Sequence, residues 1–143
     1  NHRENVNKLY RAGASHCVAP YEVFGLIAAE YAGQPVAFEA VYGLLTRQTS
    51  EGIEAVRIKR DSSLAGKQMG EIDFLARKLI PFGIIRDGCC DPEVDNSCFN
   101  LNERCFYFNP GERFTLQAND LLVLIGHEYS VIHLRDCLER GEL

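Results

Sequence analysis

Apolar residues recur at helical spacing in two consecutive segments near the start of the chain. Residues 21–33 are apolar on more than one face, and Gly33-Gln34-Pro35 then interrupts the pattern. Residues 36–48 place their apolar side chains mainly on one face. We predict a helical hairpin over residues 21–50, and because its apolar surface is excessive for a small domain we expect it to form a dimer interface. The residues expected at this interface are Phe24, Ile27, Tyr31, Phe38 and Tyr42.

The pattern changes after a short polar linker at residues 49–52. Residues 53–60 alternate in part between apolar and polar positions, which predicts a half-buried strand. Residues 69–79 carry apolar side chains at the spacing i, i+3, i+6 and i+7, which predicts an amphipathic helix of about three turns. Further strands are predicted at 81–86, 105–108 and 121–125, and a last helix at 128–140. Residues 53–143 therefore predict a β-α-β-β-β-α lobe, and the chain belongs to the α+β fold class.

The first twenty residues follow neither pattern. Residues 3–12 are typical of the end of a helix that Gly13 stops, and a short apolar run follows at 17–19. We interpret residues 1–20 as the tail of a larger α/β unit, so that the chain is expected to be a piece of a longer protein.

The composition excludes several classes of function. Of the 143 residues, 46% are hydrophobic and 24% are charged, which is typical of a globular domain. The net charge is −5 and basic residues do not cluster, so we expect no nucleic-acid partner. No apolar run approaches the ~18 residues that span a bilayer, so we expect no direct membrane insertion. Without an apolar signal core at the start, the six cysteines are expected to be reduced.

An ordered set of turn residues and strands runs through the second half of the chain. It consists of Ser62-x-Leu64-x-Gly66-Lys67, Gly83-Ile84-Ile85-Arg86, Asn109-Pro110 and Asn119-Asp120-Leu121-Leu122-Val123-Leu124-Ile125-Gly126. In this order and spacing the pattern resembles the C-terminal lobe of RCK domains, also called TrkA-C, which regulate potassium channels and transporters. Residues 4–14 resemble the end of the preceding N-terminal lobe, and the hairpin stands where the family has its crossover helices.

Each member of this pattern has a local physical role. Ser62 or Ser63 can cap a helix N-terminus, and Gly66 permits a turn with positive φ. Asn119 replaces the glycine usual in the family, and asparagine also tolerates left-handed backbone. Gly126 ends the last strand.

The resemblance implies a cytoplasmic, ligand-sensing regulatory domain and not an enzyme. It implies a homodimer, formed through the hairpin and the C-lobe, that acts on a membrane-embedded channel or transporter subunit. Some family members hold a cyclic dinucleotide between paired C-lobes, and the matching positions are Arg86, Asn109 and Pro110. Arg86 can pair with a phosphate as a bidentate fork, or it is a solvated surface arginine. Because G-x-G-x-x-G is absent, we do not expect NAD or ATP to bind.

The resemblance leaves the transport system open. The same lobe also serves other transporters, such as a cation antiporter or an anion symporter. The membrane part that would separate these alternatives from a potassium channel is absent from the sequence.

The segment 87–105 is acidic and rich in cysteine, and the family pattern does not explain it. Its thiolates and carboxylates suit zinc or calcium, although neither set has the spacing of a zinc finger or an EF-hand. The candidate ligands for a divalent cation are Asp87, Cys89, Cys90, Asp91, Glu93, Asp95, Cys98 and Cys105. A redox-sensitive disulfide, a solvated insertion and a small thiol or metal enzyme are the alternatives. Cys17 and Cys137 are expected to be core thiols, and the local sequence suggests no Cys–His pair.

Overall fold

The computed structural model describes residues 8–14, 20–46, 50–88, 98–101 and 103–142, with no side chains described at 20–22. The chain divides into two compact units, residues 1–42 and residues 43–143. Residues 8–11 are helical, and Gly13 follows with φ +94°. This turn confirms the predicted helix stop at Gly13. The apolar run at 17–19 lies outside the described residues.

The predicted hairpin is confirmed as two helices. Helix α1 spans Pro20–Gly33 and helix α2 spans Pro35–Leu45, with Gln34 between them. The ring of Phe38 meets Tyr31 edge-on at 5.6 Å and stacks on Tyr42 at 5.9 Å, so aromatic contacts join the helices. No side chain described between residues 23 and 46 is buried. Within the described part of the chain, no helix is both long and apolar enough to cross a bilayer.

The second unit is built on a five-stranded antiparallel sheet in the order β1-β5-β2-β4-β3. The strands are β1 Glu51–Arg57, β2 Leu79–Asp87, β3 Cys98–Leu101, β4 Arg104–Phe108 and β5 Leu121–His127. The strongly apolar β5 lies between β1 and β2, as its continuous hydrophobic run requires. The α+β fold class predicted from the sequence is confirmed.

Helix α3, Glu128–Arg140, packs against β1 and β5, and its bounds equal those predicted. Its inward residues include Val131 and Leu134, at 2% and 0% exposure. The same cluster takes side chains from β1, β2, β5 and the segments 58–74 and 114–116; those fully enclosed are Ile58, Leu64, Ile84, Leu116, Leu122 and Leu124. The lobe therefore has a core of its own.

The helix predicted at residues 69–79 is wrong. The structure has a 3₁₀ turn at Met69–Glu71 followed by further turns, and Leu75 is 86% exposed instead of facing the core. The backbone nitrogens of Met69 and Gly70 donate to the carbonyls of Phe114 and Glu112, which ties this turn to the segment 112–114. A spacing of three residues suits a 3₁₀ turn as well as a helix, and the long-range hydrogen bonds decide between them.

Strand β3 was not predicted. The sequence predicts no strand between residues 86 and 105, but Cys98–Leu101 pairs with β4 in the register Cys98↔Tyr107. Only Cys98 of this short strand is buried, and Phe99, Asn100 and Leu101 are exposed, so its sequence carries no alternating pattern by which it could be predicted. The lobe order is thus strand, 3₁₀ turn, four strands and helix.

The turns of the RCK-like pattern adopt the predicted backbone. Gly66 has φ +90° and Asn119 has φ +74°, both in the left-handed region. Gly126 is required for close packing, because a Cβ there would lie 2.8 Å from the carbonyl oxygen of Lys78. Ser62 caps a turn and not a helix, since its Oγ accepts from the backbone nitrogen of Leu64 at 3.3 Å.

Candidate functional site

Arg86, a predicted ligand-binding residue, lies in β2 and forms an ion pair with Asp120. Its Nε donates to Oδ1 at 2.8 Å and its Nη2 to Oδ2 at 2.7 Å, so the contact is bidentate. Nη2 also donates to the carbonyl oxygen of Thr115 at 3.0 Å. The side chain of Asp120 is 1% exposed and that of Arg86 is 22% exposed. The guanidinium of Arg86 therefore has the bidentate geometry expected for binding a phosphate, but it binds the carboxylate of Asp120 from the same chain.

Two aromatic rings flank the guanidinium of Arg86. Its Cζ lies 5.0 Å from the ring centre of Phe114 and 5.6 Å from that of Tyr107. Guanidinium groups over aromatic faces gain cation–π attraction. The hydrogen bond to Asp120 raises the pKa of Arg86, while burial acts in the opposite direction. Arg86 is accordingly a permanent cation held by contacts on several sides.

The turn before β5 positions Asp120. The backbone nitrogen of Gln117 donates to Asp120 Oδ2 at 2.8 Å, and the nitrogen of Ile58 donates to the Asp120 carbonyl at 2.8 Å. The ion pair thus links β2 to this turn and to the residue after β1. The sequence pattern indicates Asp120 only as a turn residue, and the pairing with Arg86 is not predicted. The signal was available, because a carboxylate directly before an apolar strand needs a partner if it is buried.

The structure does not bring Asn109 and Pro110 to Arg86. The backbone nitrogen of Asn109 donates to the carbonyl of Phe82 at 3.0 Å, and Asn109 has φ +44°. Arg86 lies four residues further along β2. At about 3.3 Å per residue the two backbones are roughly 13 Å apart. Within one chain the three residues form two separate features, a buried ion pair and a turn.

Tyr107 connects the ion pair to a small buried cluster with Cys98 and Cys105. Cys98 lies opposite Tyr107, and Cys105 is two residues away on the same strand, so all three share one sheet face. Burial raises the pKa of Tyr107 to about 12, with a smaller contribution from its hydrogen bond to Cys105. Cys98 and Cys105 were both proposed from the sequence as metal ligands. In the structure both thiols are buried, and neither forms a disulfide with another described cysteine.

The other candidate metal ligands are dispersed or lie outside the described residues. Asp87 is exposed and pairs with Arg104 at 3.1 Å. Cys89, Cys90, Asp91, Glu93 and Asp95 lie outside the described residues. Where the structure describes the chain, no three histidine, cysteine or acidic side chains converge as metal ligands. The divalent-cation site in this loop stays a prediction.

The predicted interface residues of the hairpin are largely accessible. Phe24 is 75% exposed, and Ile27, Tyr31 and Tyr42 are 43%, 52% and 50% exposed. Phe38, between Tyr31 and Tyr42, is half-buried. The two helices thus present an apolar surface, as the sequence pattern predicts.

A Cys–His contact that the sequence analysis did not expect lies on α3. The Sγ atom of Cys137 is 3.5 Å from Nδ1 of His133, and Nη1 of Arg77 is 3.9 Å from the same sulfur. His133 and Cys137 are four residues apart, the spacing that makes neighbours on a helix. Cys137 is buried as predicted, and the i, i+4 pairing was readable from the sequence.

Neither a family model nor a curated protein matches the chain. Among solved structures, the chain is similar to the GsuK RCK domain, with 20% identity and a TM-score of 0.42. That match covers 96% of this chain and 25% of the other. It is also similar to the GsuK channel bound to NAD, at 17% identity, a TM-score of 0.42, and coverage of 96% and 20%. The chain spans a quarter or less of the length of these proteins, and the first of them is an RCK domain, the family that the sequence resembles.

Proposed function

We propose that the chain is a cytoplasmic regulatory module of the RCK type that controls potassium transport through a channel or an uptake system. The proposal is supported mainly by the positions that the residues of the RCK-like pattern occupy in the lobe. Gly66 and Asn119 occupy left-handed turns, Gly126 lies at a close backbone approach, and Asp120 holds the arginine of the Gly83–Arg86 segment. Each patterned residue thus has the structural role that its type suits.

The hairpin is proposed to join two copies of the module. Between residues 23 and 46 the only charged side chains are Glu30 and Glu39, and the exposed surface carries several large apolar side chains. A second copy offers the same apolar surface, and two-fold dimers are the commonest closed assembly. In this proposal the hairpin passes a conformational change from one lobe to its partner and to the transport protein.

Effector binding is proposed to act by population shift, with a cyclic dinucleotide or a divalent cation as the effector. An effector shifts an equilibrium only by its difference in affinity for the two states. An anionic effector that binds the guanidinium of Arg86 in place of Asp120 leaves the carboxylate of Asp120 buried without its partner. Because an unpaired buried charge is strongly destabilising, such binding is coupled to movement of the turn at 117–120.

The test uses rubidium flux through the protein that contains this segment, reconstituted in liposomes with and without cyclic di-AMP. We expect the flux to respond to the effector, and Phe24→Ser to weaken that response without unfolding the lobe. Leu75→Ser is the matched control, since Leu75 is 86% exposed on the lobe. A flux of sodium, protons or an anion in place of rubidium would favour another transporter. Unchanged regulation in Phe24→Ser would contradict transmission through the hairpin.

A thermal-melt screen of the purified chain tests the effector class. Cyclic di-AMP, Ca²⁺, Zn²⁺ and NAD are added separately, because a ligand specific for the folded state raises its midpoint. A shift with zinc that is lost on Cys98→Ser would favour the metal or thiol module at residues 87–105. A shift with NAD would contradict the expectation that this segment does not bind it.

A further inference from the structure

A cleft of about 560 Å³ lies between the end of β1, the turn that follows it and the C-terminal half of α3. Its volume is within the ~300–1,000 Å³ range of small-molecule sites. None of the charged side chains that line the cleft belongs to the RCK-like pattern or to the Arg86–Asp120 pair. The cleft is therefore a separate feature of the lobe.

The lining of the cleft is basic in an acidic protein. Four cationic side chains, Arg57, Lys59, Arg135 and Arg140, line it together with two carboxylates, Asp61 and Glu139. The chain as a whole has a net charge of −5. A concave surface with an excess of one charge concentrates ligands of the opposite charge.

Two of the four cations are already engaged. Lys59 Nζ is 3.0 Å from Glu139 Oε1, and Arg135 Nη2 is 3.6 Å from Glu54 Oε2. Arg135 Nη2 also donates to the carbonyl of Ala55 at 3.1 Å. These contacts neutralise part of the charge of the lining.

The guanidinium groups of Arg57 and Arg140 have no ion-pair or hydrogen-bond partner among the described residues. They come from different elements, β1 and the last turn of α3, and line the same cleft. Two guanidinium forks offer more donors than a single carboxylate can accept, which suits a phosphate with its several oxygens. The negative end of the α3 dipole opposes an anion here, but its effect is smaller than that of two charge-assisted hydrogen bonds.

The cleft also has an apolar wall. Leu138 is partly buried and packs against the core cluster from α3, whereas Val56 is 3% exposed and offers almost no surface of its own. A bare inorganic anion gains nothing from Leu138, whereas the organic part of a larger ligand buries surface against it. The ligand that fits both walls is an organic phosphate of about mononucleotide size.

We propose that this cleft binds a phosphorylated small molecule, with Arg57 and Arg140 on the phosphate and Leu138 against its organic part. The proposal uses neither the hairpin nor Arg86. It is therefore independent of the proposed effector site and of dimerisation.

The experiment titrates the full chain with adenosine monophosphate and, separately, with inorganic phosphate, followed by amide chemical shifts. We expect the nucleotide to bind more tightly than phosphate and to perturb the amides of residues 56–62 and 138–141. Arg57→Gln and Arg140→Gln should each weaken nucleotide binding roughly tenfold through the lost charged hydrogen bonds. Arg113→Gln is the control, because Arg113 is exposed and its substitution removes the same charge at a position outside the cleft.

Three results would overturn the proposal. Absence of nucleotide binding at millimolar concentration would reject the site. Equal affinity for phosphate and nucleotide would reject the organic ligand. Equal weakening by Arg113→Gln would show attraction by general charge instead of a site. Arg57 and Arg140 are both exposed, so the spectra of the unliganded variants should stay those of the folded wild type.

Discussion

The hairpin and the lobe are both rich in apolar residues, but only the lobe buries them. No side chain described between 23 and 46 is buried, and Phe24 and Val36 are 75% and 80% exposed. In the lobe, Leu64, Ile84 and Leu122 are each 0% exposed. Apolar content alone therefore does not show where a chain has its core.

The difference follows from the geometry of the two regions. Two helices cross along one seam, so a helix that is apolar almost all round leaves most of its surface outside the contact. The lobe closes α3 and the segments 58–74 and 114–116 over one face of a sheet. We therefore expect the lobe to carry the stability of the isolated chain and the hairpin to carry its association.

The largest expected effect is on the buried ion pair of the lobe. Arg86→Gln leaves the carboxylate of Asp120 without its bidentate partner, and removal of one member of a buried pair costs about 3–5 kcal/mol. The free energy of unfolding measured in urea should fall by this amount. The control is Arg104→Gln, which breaks the exposed Asp87–Arg104 pair and should cost about 0–1 kcal/mol. Equal losses in the two variants would contradict the structural role of Arg86.

The second effect concerns a glycine of the patterned segment. A Cβ on Gly83 would lie 2.5 Å from Cζ of Phe106 and 2.7 Å from the carbonyl oxygen of Tyr107. Gly83→Ala should lower the free energy of unfolding by about 1–3 kcal/mol, because the added methyl group overpacks the site. Gly52→Ala is the matched strand control, since nothing lies within 4 Å of a Cβ there. A neutral Gly83→Ala would show that the β2–β4 contact is looser than described.

The third effect separates the two regions directly. Phe24→Ser removes a hairpin side chain that is 75% exposed, and Leu75→Ser removes a lobe side chain that is 86% exposed. We expect Phe24→Ser to weaken self-association in sedimentation equilibrium by about tenfold, as loss of an aromatic anchor does. Leu75→Ser should leave association unchanged. If the wild-type chain is monomeric at high micromolar concentration, the comparison loses its basis.

The smallest effect is the alkaline titration of one tyrosine. The pKa of Tyr107 is raised to about 12, mainly by burial, so its neutral form is favoured in the folded state. Its contribution to stability is complete below the usual pKa of about 10 and is lost as the pH rises from about 10 to 12. Absorbance should show one late-titrating tyrosine that Tyr107→Phe removes. The same late step in Tyr107→Phe would assign it to another residue.

The elements that the sequence predicted well are those defined by local signals. Gly33-Gln34-Pro35 separates the two helices, and α3 begins directly after β5 as its periodicity requires. The left-handed turns at Gly66 and Asn119 were also expected from residue type alone. Each of these features depends on backbone preferences that neighbouring residues determine.

The candidate site was predicted only in part. Arg86 was selected for its guanidinium fork, but its partner lies 34 residues away in sequence. The position of Asp120 before an apolar strand indicates that it needs a partner, and it does not identify that partner as Arg86. Asn109 and Pro110 were grouped with Arg86, whereas the β2–β4 register separates them. The His133–Cys137 contact was overlooked although its i, i+4 spacing was visible.

The sequence by itself determined the fold class, the hairpin, the last helix and the positions of the special turns, because propensity and periodicity are local. The tertiary structure decided that Met69–Glu71 is a 3₁₀ turn, since the backbone nitrogens of Met69 and Gly70 donate to the carbonyls of Phe114 and Glu112. It also decided that Arg86 binds Asp120 and that Arg57 and Arg140 line one cleft. These outcomes depend on sheet register and on which segments cover the core, and both are set by contacts between residues distant in sequence.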